Sequence, residues 1–184
     1  MNENMIWLIP DLCGTIVNIK NHSLCSGRLS NKCRRDQCCA LSHLTDDQIN
    51  YVLSDNGSDV YLNACPGSGK TEVYMELIDK VIKEGGQAIV LIPEIALTYQ
   101  TVRRFYGRFG DKVSVINSRL SQGERYDQFK RAKQGELQVM VGPRSALFTP
   151  FGRLRLIIID EEHESSYKSE NSPRYHARET AIHR

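Results

Sequence analysis

The chain has 184 residues, 40% of them hydrophobic and 25% charged, enough for one ordinary soluble domain and too few for a second large one. Its formal net charge of +2, from 24 basic and 22 acidic side chains, excludes binding to nucleic acid by bulk charge, so any such contact must come from local clustering. No apolar run approaches the roughly 20 residues that span a bilayer.

The opening "MNENMIWLIPDLCGTIVNIKNH" lacks a basic start and meets Lys20 early, so it is not read as a signal peptide, and a cytoplasmic protein is expected. The cysteines, Cys13, Cys25, Cys33, Cys38, Cys39 and Cys65, form no C-x-x-C pair. They are read as free thiols, with neither a disulfide framework nor a zinc site expected.

Residues 1–42 show no periodicity and mix turn formers with charge, so they are read as an irregular arm that gives way near His43 to a regular domain, 43–184. "DVYLNA" (59–64) reads as a strand, and Thr71 to Glu84 as a helix with Val73, Leu77, Ile78 and Val81 on one face, closed by Gly85 and Gly86. "QAIVLIP" (87–93) is a continuous apolar run of the kind buried on both faces. Glu94 to Phe109 reads as a helix with Ile95, Tyr99, Val102, Tyr106 and Phe109 at spacings of three and four. "KVSVIN" reads as a strand, and Ser121 with Glu124 as a capping box opening a helix that runs to about Lys133 and stops at Gly135. "LQVMVG" and "LRLIIID" are two further strands. Strands alternating with helices predict an α/β fold with a mainly parallel sheet flanked by helices.

Two stretches carry chemistry. "GSGKT" (Gly67, Ser68, Gly69, Lys70, Thr71) lies between a predicted strand and a predicted helix, the setting of a phosphate-binding loop. Gly67 and Gly69 free the backbone to aim N–H groups at phosphate, and the helix adds its positive end. Lys70 would reach the β and γ phosphates of a nucleoside triphosphate, and the Thr71 hydroxyl would ligate Mg²⁺. Ala64 stands where this pattern opens with glycine, and Pro66 removes an N–H, so weakened binding is expected. The second stretch, "LRLIIIDEEHE", delivers Asp160, Glu161, Glu162 and His163 off an apolar strand, on the sheet edge where ligands of such folds bind. Asp160 is the candidate for Mg²⁺, and Glu161 for orienting and deprotonating a water.

"GSGKTEVY", "LIPEIALT", "LSQGER", "RSALFTPF" and "LIIIDEEHESSYKSENSPRYHARE" together closely resemble the bacterial primosomal protein N′ family, superfamily 2 replication-restart DNA helicases with a DEEH box, over residues 44 to 184. The resemblance implies a RecA-like P-loop domain, ATP with Mg²⁺, and 3′ to 5′ movement on single-stranded or forked DNA beside other primosome proteins. It implies that Gln48 reads adenine and that Thr98, Arg144 and Ser145 face the DNA backbone. It also implies that Tyr167 and Tyr175 stack on bases while Lys168, Arg174 and Arg178 meet phosphates, the alternative being tyrosines that pack a surface loop onto the domain. Arg103, Arg104 and Arg108 are read as a solvated face. Pro143 departs from the family pattern, and the second RecA-like half with its arginine and zinc-binding cysteines is absent, so a truncated or split motor is expected. The competing reading is a non-catalytic fragment that binds nucleotide or DNA; a small-molecule kinase would leave "DEEH" and "RYHAR" without a role.

Overall fold

The computed structural model describes residues 18–19, 22–23 and 70–184. Within the stretch read as an irregular arm, the two-residue strands Asn18–Ile19 and His22–Ser23 pair antiparallel. The strand expected over 59–64, Gln48 and the loop residues Gly67, Ser68 and Gly69 lie outside the described residues.

Among the described residues from 70 onward, the fold is built on four strands, β1 (Gln87–Leu91), β2 (Val113–Val115), β3 (Val139–Gly142) and β4 (Leu154–Ile159). They form one all-parallel sheet in the order β2-β3-β1-β4. Among the described residues four α-helices accompany them: α1 (Lys70–Lys83), α2 (Tyr99–Phe109), α3 (Gln122–Lys133) and α4 (Ala177–Ile182). The apolar run of β1 has the burial expected of a central strand, since all five residues are buried. Alternation sorts its side chains to two cores. Ala88, Val90 and Ile92 join Val73, Tyr74, Leu77, Ile78 and Val81 of α1 with Phe105 and Phe109 of α2. Ile89 and Leu91 join Ala132 of α3, Ala177 and Ala181 of α4, and Tyr167 on the opposite face.

Local chemistry accounts for the ends of these elements. Gly85, at φ 76°, closes α1 as its N–H meets the Ile82 carbonyl while the Gly86 N–H meets that of Val81, the paired bonds of a Schellman cap. Both halves of the Ser121–Glu124 capping box form at the start of α3. Gly142, the last residue of β3, has no room for a side chain, because a Cβ there would sit 2.7 Å from the Ile116 carbonyl oxygen. The buried Gln87 side chain donates to the Leu137 carbonyl (3.0 Å) and accepts from the Arg153 N–H (2.8 Å), tying the entry to β1 to the segments leading into β3 and β4.

One helix differs from its expectation. Residues 94–98 are not helical: the Pro93 carbonyl accepts from the Ala96 and Leu97 N–H groups in a tight turn, and α2 starts only after Thr98, whose extended backbone and Oγ1 cap it. Ile95, Tyr99 and Tyr106 are 85%, 78% and 46% exposed, whereas Phe109 is buried as expected and Phe105, absent from the expected face, is buried beside it. The turn at Pro93 leaves Ile95 outside the helix, and within α2 it is Phe105 and Phe109 that join the core.

Candidate nucleotide site and the loop behind it

β1 and β4 run side by side, with Leu91 opposite Ile159, and the Asp160 N–H donates to the Leu91 carbonyl (2.9 Å). Asp160 is thus delivered at the C-terminal edge of the sheet by the last rung of a parallel ladder. From α1, the Tyr74 hydroxyl donates to Asp160 Oδ1 at 3.1 Å. Tyr74 is 1% exposed, and burial, then the Asp160 charge, push its pKa well above the ordinary tyrosine value, so it stays a neutral donor. Thr71 precedes Tyr74 by three residues, hence on the same side of the helix, and is half-buried; Lys70 is the first residue of α1. The structure therefore brings Tyr74, one turn into α1, to the acidic end of β4, while the loop residues before Lys70 lie outside the described residues.

After Asp160 the backbone turns sharply. Glu161 has φ 52°, in the left-handed region that non-glycine residues seldom occupy. Its carbonyl accepts from the Glu164 N–H (2.9 Å), which closes the turn. Strained backbone of this kind costs of order 1–3 kcal/mol and concentrates at functional positions. Glu162 pairs with Arg178 (3.3 Å), so Arg178 is committed to an acidic partner of the same turn.

The expected Mg²⁺ ligands fit that ion chemically. Thr71 and Asp160 offer a hydroxyl and a carboxylate, the hard oxygen donors that Mg²⁺ prefers. Among the described residues no group of three or more His, Cys, Asp or Glu side chains could hold a metal ion. A site completed by phosphate oxygens and water, rather than by a protein cage, is the usual Mg²⁺ arrangement.

The aromatic loop is corrected by the structure. Tyr167, read as a base-stacking residue, is 1% exposed, and its hydroxyl donates to the Leu91 (3.0 Å) and Asp160 (2.6 Å) carbonyls. Burial first, then the surrounding carboxylates from Asp160 onward, push its pKa far up. Its ring is core, and the bolt it forms is between β1 and β4. Arg144, at the start of a 3₁₀ turn over Arg144–Phe148, donates to the Ser166 (2.7 Å) and Lys168 (2.8 Å) carbonyls, bracing the loop from the other side.

Beyond this brace the loop doubles back. The Ser169 N–H donates to the Tyr175 carbonyl (2.8 Å), and Lys168 bridges His176 in an antiparallel sense. Lys168 and Arg174 are exposed, and Tyr175 meets Phe148 edge to face, with centroids 5.2 Å apart. Ser145 is half-buried within the 3₁₀ turn. Thr98 is exposed, but its Oγ1 accepts from the Thr101 N–H (3.3 Å) as the cap of α2. It opens a recess shared with Glu94, Leu97, Asn117, Ser118 and Arg119. Sequence reasoning missed Tyr74, whose position three residues after Thr71 was the available signal, and Phe148, 51% exposed, which carried none.

Comparison with known proteins agrees with this geometry. Residues 44–182 match the DEAD/DEAH box helicase family. The chain is 52% identical over 148 residues to "Replication restart protein PriA" of Bacillus subtilis, covering 77% of this chain and 18% of that protein. It is 48% identical over 132 residues to the Haemophilus influenzae protein of the same name (71% and 18%), and 42% identical over 152 residues to that of Treponema pallidum (82% and 23%). The chain thus spans about a fifth of the length of these relatives. With the match running from before the phosphate loop to α4, and the acidic strand end seated against the helix that follows that loop, the chain belongs to the DEAD/DEAH box helicase family.

Proposed function

We propose that this chain is the ATP-binding, first RecA-like domain of a PriA-like replication-restart DNA helicase in the cytoplasm. The observation that carries the reading is the Tyr74–Asp160 hydrogen bond, which holds the acidic end of β4 against the helix opened by Lys70 and Thr71. In this reading Gly67, Ser68, Gly69, Lys70 and Thr71 cradle the triphosphate, Gln48 reads the base, and Thr71 and Asp160 hold Mg²⁺. Bound Mg²⁺ would neutralise developing phosphate charge. Glu161 orients the attacking water and takes its proton.

Hydrolysis at a useful rate needs a second RecA-like half, because an arginine supplied across the cleft is worth about 10³–10⁵ in rate in related nucleotide hydrolases. The DNA face joins Thr98, Arg144, Ser145, Lys168, Arg174 and Tyr175, with single-stranded or forked DNA as ligand and primosome proteins as partners. Arg144 serves that face through the loop it braces.

The test is Mg²⁺-ATP titration calorimetry on the chain beside Lys70→Ala, followed by phosphate release with and without single-stranded DNA. Binding that is lost in the variant, with negligible release from either protein, supports the reading. Equal binding by both proteins, or none by the parent, refutes it.

A further inference from the structure

We propose that Tyr74 is a positioning residue for the nucleotide-bound cation: its hydroxyl, on the same side of α1 as Thr71, fixes the carboxylate of Asp160 from within the core. The inference deepens the proposed nucleotide site and rests on it.

Three observations support it. First, the contact is specific, Tyr74 Oη to Asp160 Oδ1 at 3.1 Å, and it joins residues 86 positions apart. Second, the ring that carries the hydroxyl is itself immobilised: Tyr74 is 1% exposed and packs among Leu77, Ile78, Val90 and Ile158 in the core beneath α1 and α2. A donor on a locked ring holds its acceptor in one rotamer, whereas a surface side chain or water would let it swing. Third, the backbone of Asp160 is held independently, by its N–H on the Leu91 carbonyl and by the Tyr167 hydroxyl on its own carbonyl. With the main chain held in this way, the Tyr74 hydroxyl acts on the carboxylate itself, through Oδ1.

The geometry separates this role from ordinary packing. Replacing the hydroxyl by hydrogen leaves the ring, and therefore the core volume, in place. What is lost is the donor to Asp160 alone. Groups that orient a metal ligand in this way typically contribute 10–100-fold to metal affinity. The consequence should therefore appear in the cation dependence of nucleotide binding and be missing from cation-free binding.

The experiment compares the full chain with Tyr74→Phe, Asp160→Asn and the double variant, titrating ATP by calorimetry in EDTA and over a series of Mg²⁺ concentrations. Thermal melts beside the titrations verify that each variant is folded. Tyr74→Phe is expected to bind ATP normally in EDTA and to need about tenfold or more Mg²⁺ for half of the Mg²⁺-dependent gain. In the Asp160→Asn background the tyrosine substitution is expected to add no further shift, because it acts through that carboxylate. An unchanged Mg²⁺ midpoint in Tyr74→Phe, an equal loss of binding in EDTA, or an undiminished effect beside Asp160→Asn would each overturn the inference. Should Tyr74→Phe not fold, the ring's environment depends on the hydroxyl for stability and the positioning role is likewise overturned. Failure of the parent chain to bind ATP would instead overturn the nucleotide-site reading, and this inference with it.

Discussion

Replacing Tyr167 by phenylalanine removes one hydroxyl from the interior and leaves the ring in place. That hydroxyl serves two acceptors, the carbonyls of Leu91 and Asp160, at the point where β1 and β4 leave the sheet. The Leu91 carbonyl keeps a second donor, the Asp160 N–H, so the loss falls mainly on one carbonyl, the partly buried one of Asp160, rather than two. A buried acceptor deprived of its donor costs about 1–3 kcal/mol, and the middle of that range, about 2 kcal/mol, applies here. For a chain of this size such a change lowers Tm by about 4–8 °C.

Thermal unfolding followed by circular dichroism measures the shift, and anisotropy of a labelled single-stranded oligonucleotide measures DNA affinity in the same preparation. A core role predicts a lower Tm and unchanged affinity at temperatures where both proteins are folded. A Tm within about 1 °C of the parent together with weakened DNA binding would refute the argument and restore Tyr167 as a surface stacking residue.

Arg144→Ala removes two hydrogen bonds to loop carbonyls, so trypsin should cut at Lys168 and Arg174 faster than in the parent. The expected acceleration is roughly tenfold or more, since each bond from a charged donor is worth about 1.5–3 kcal/mol and 1.4 kcal/mol is tenfold in local opening. An unchanged cleavage rate would show that the loop is held by other contacts. Gly142→Ala places a Cβ 2.7 Å from the Ile116 carbonyl oxygen and should destabilise by about 1–3 kcal/mol in urea unfolding, with a stable variant as the contrary result. In alkali, Tyr74 and Tyr167 are held neutral in the fold while the unfolded chain ionises them at the ordinary value of 10.0. The folded state then binds more protons than the unfolded one, so the contribution of these two residues to stability is constant below that pH and falls as pH rises past it. Tyrosinate absorbance from these residues should appear together with loss of ellipticity, and gradual ionisation in a still-folded protein would contradict the burial argument.

The corrected residues fall where one signal serves two structures. Val73, Leu77, Ile78 and Val81 were legible as a buried helix face because four apolar side chains at that spacing have one way to leave water. The run 94–109 shows the same spacing, but the Pro93 turn starts the helix five residues later and leaves Ile95 outside it, while Tyr99 and Tyr106 face solvent from within α2. Tyr167 lies among Ser, Lys and Glu, which reads as an exposed recognition loop. Only the meeting of Leu91 and Asp160 across 69 residues of chain creates the pair of carbonyls that draws its hydroxyl inward.

By itself the sequence determined the strand and helix alternation, the parallel sheet, the two helix stops at Gly85 and Gly135, the capping box of α3, and the presence of the phosphate-loop and acidic motifs. Each rests on neighbours within a few residues, where backbone preference and periodicity act directly. Tertiary structure alone decided where three side-chain donors go. Tyr74 reached Asp160, Tyr167 left the surface, and Arg144 turned from solvent to the loop carbonyls because packing the sheet brought their partners into range from 86, 76 and 22 residues away. A donor's destination depends on which buried acceptors lie near it once the chain is folded, and no local spacing encodes that.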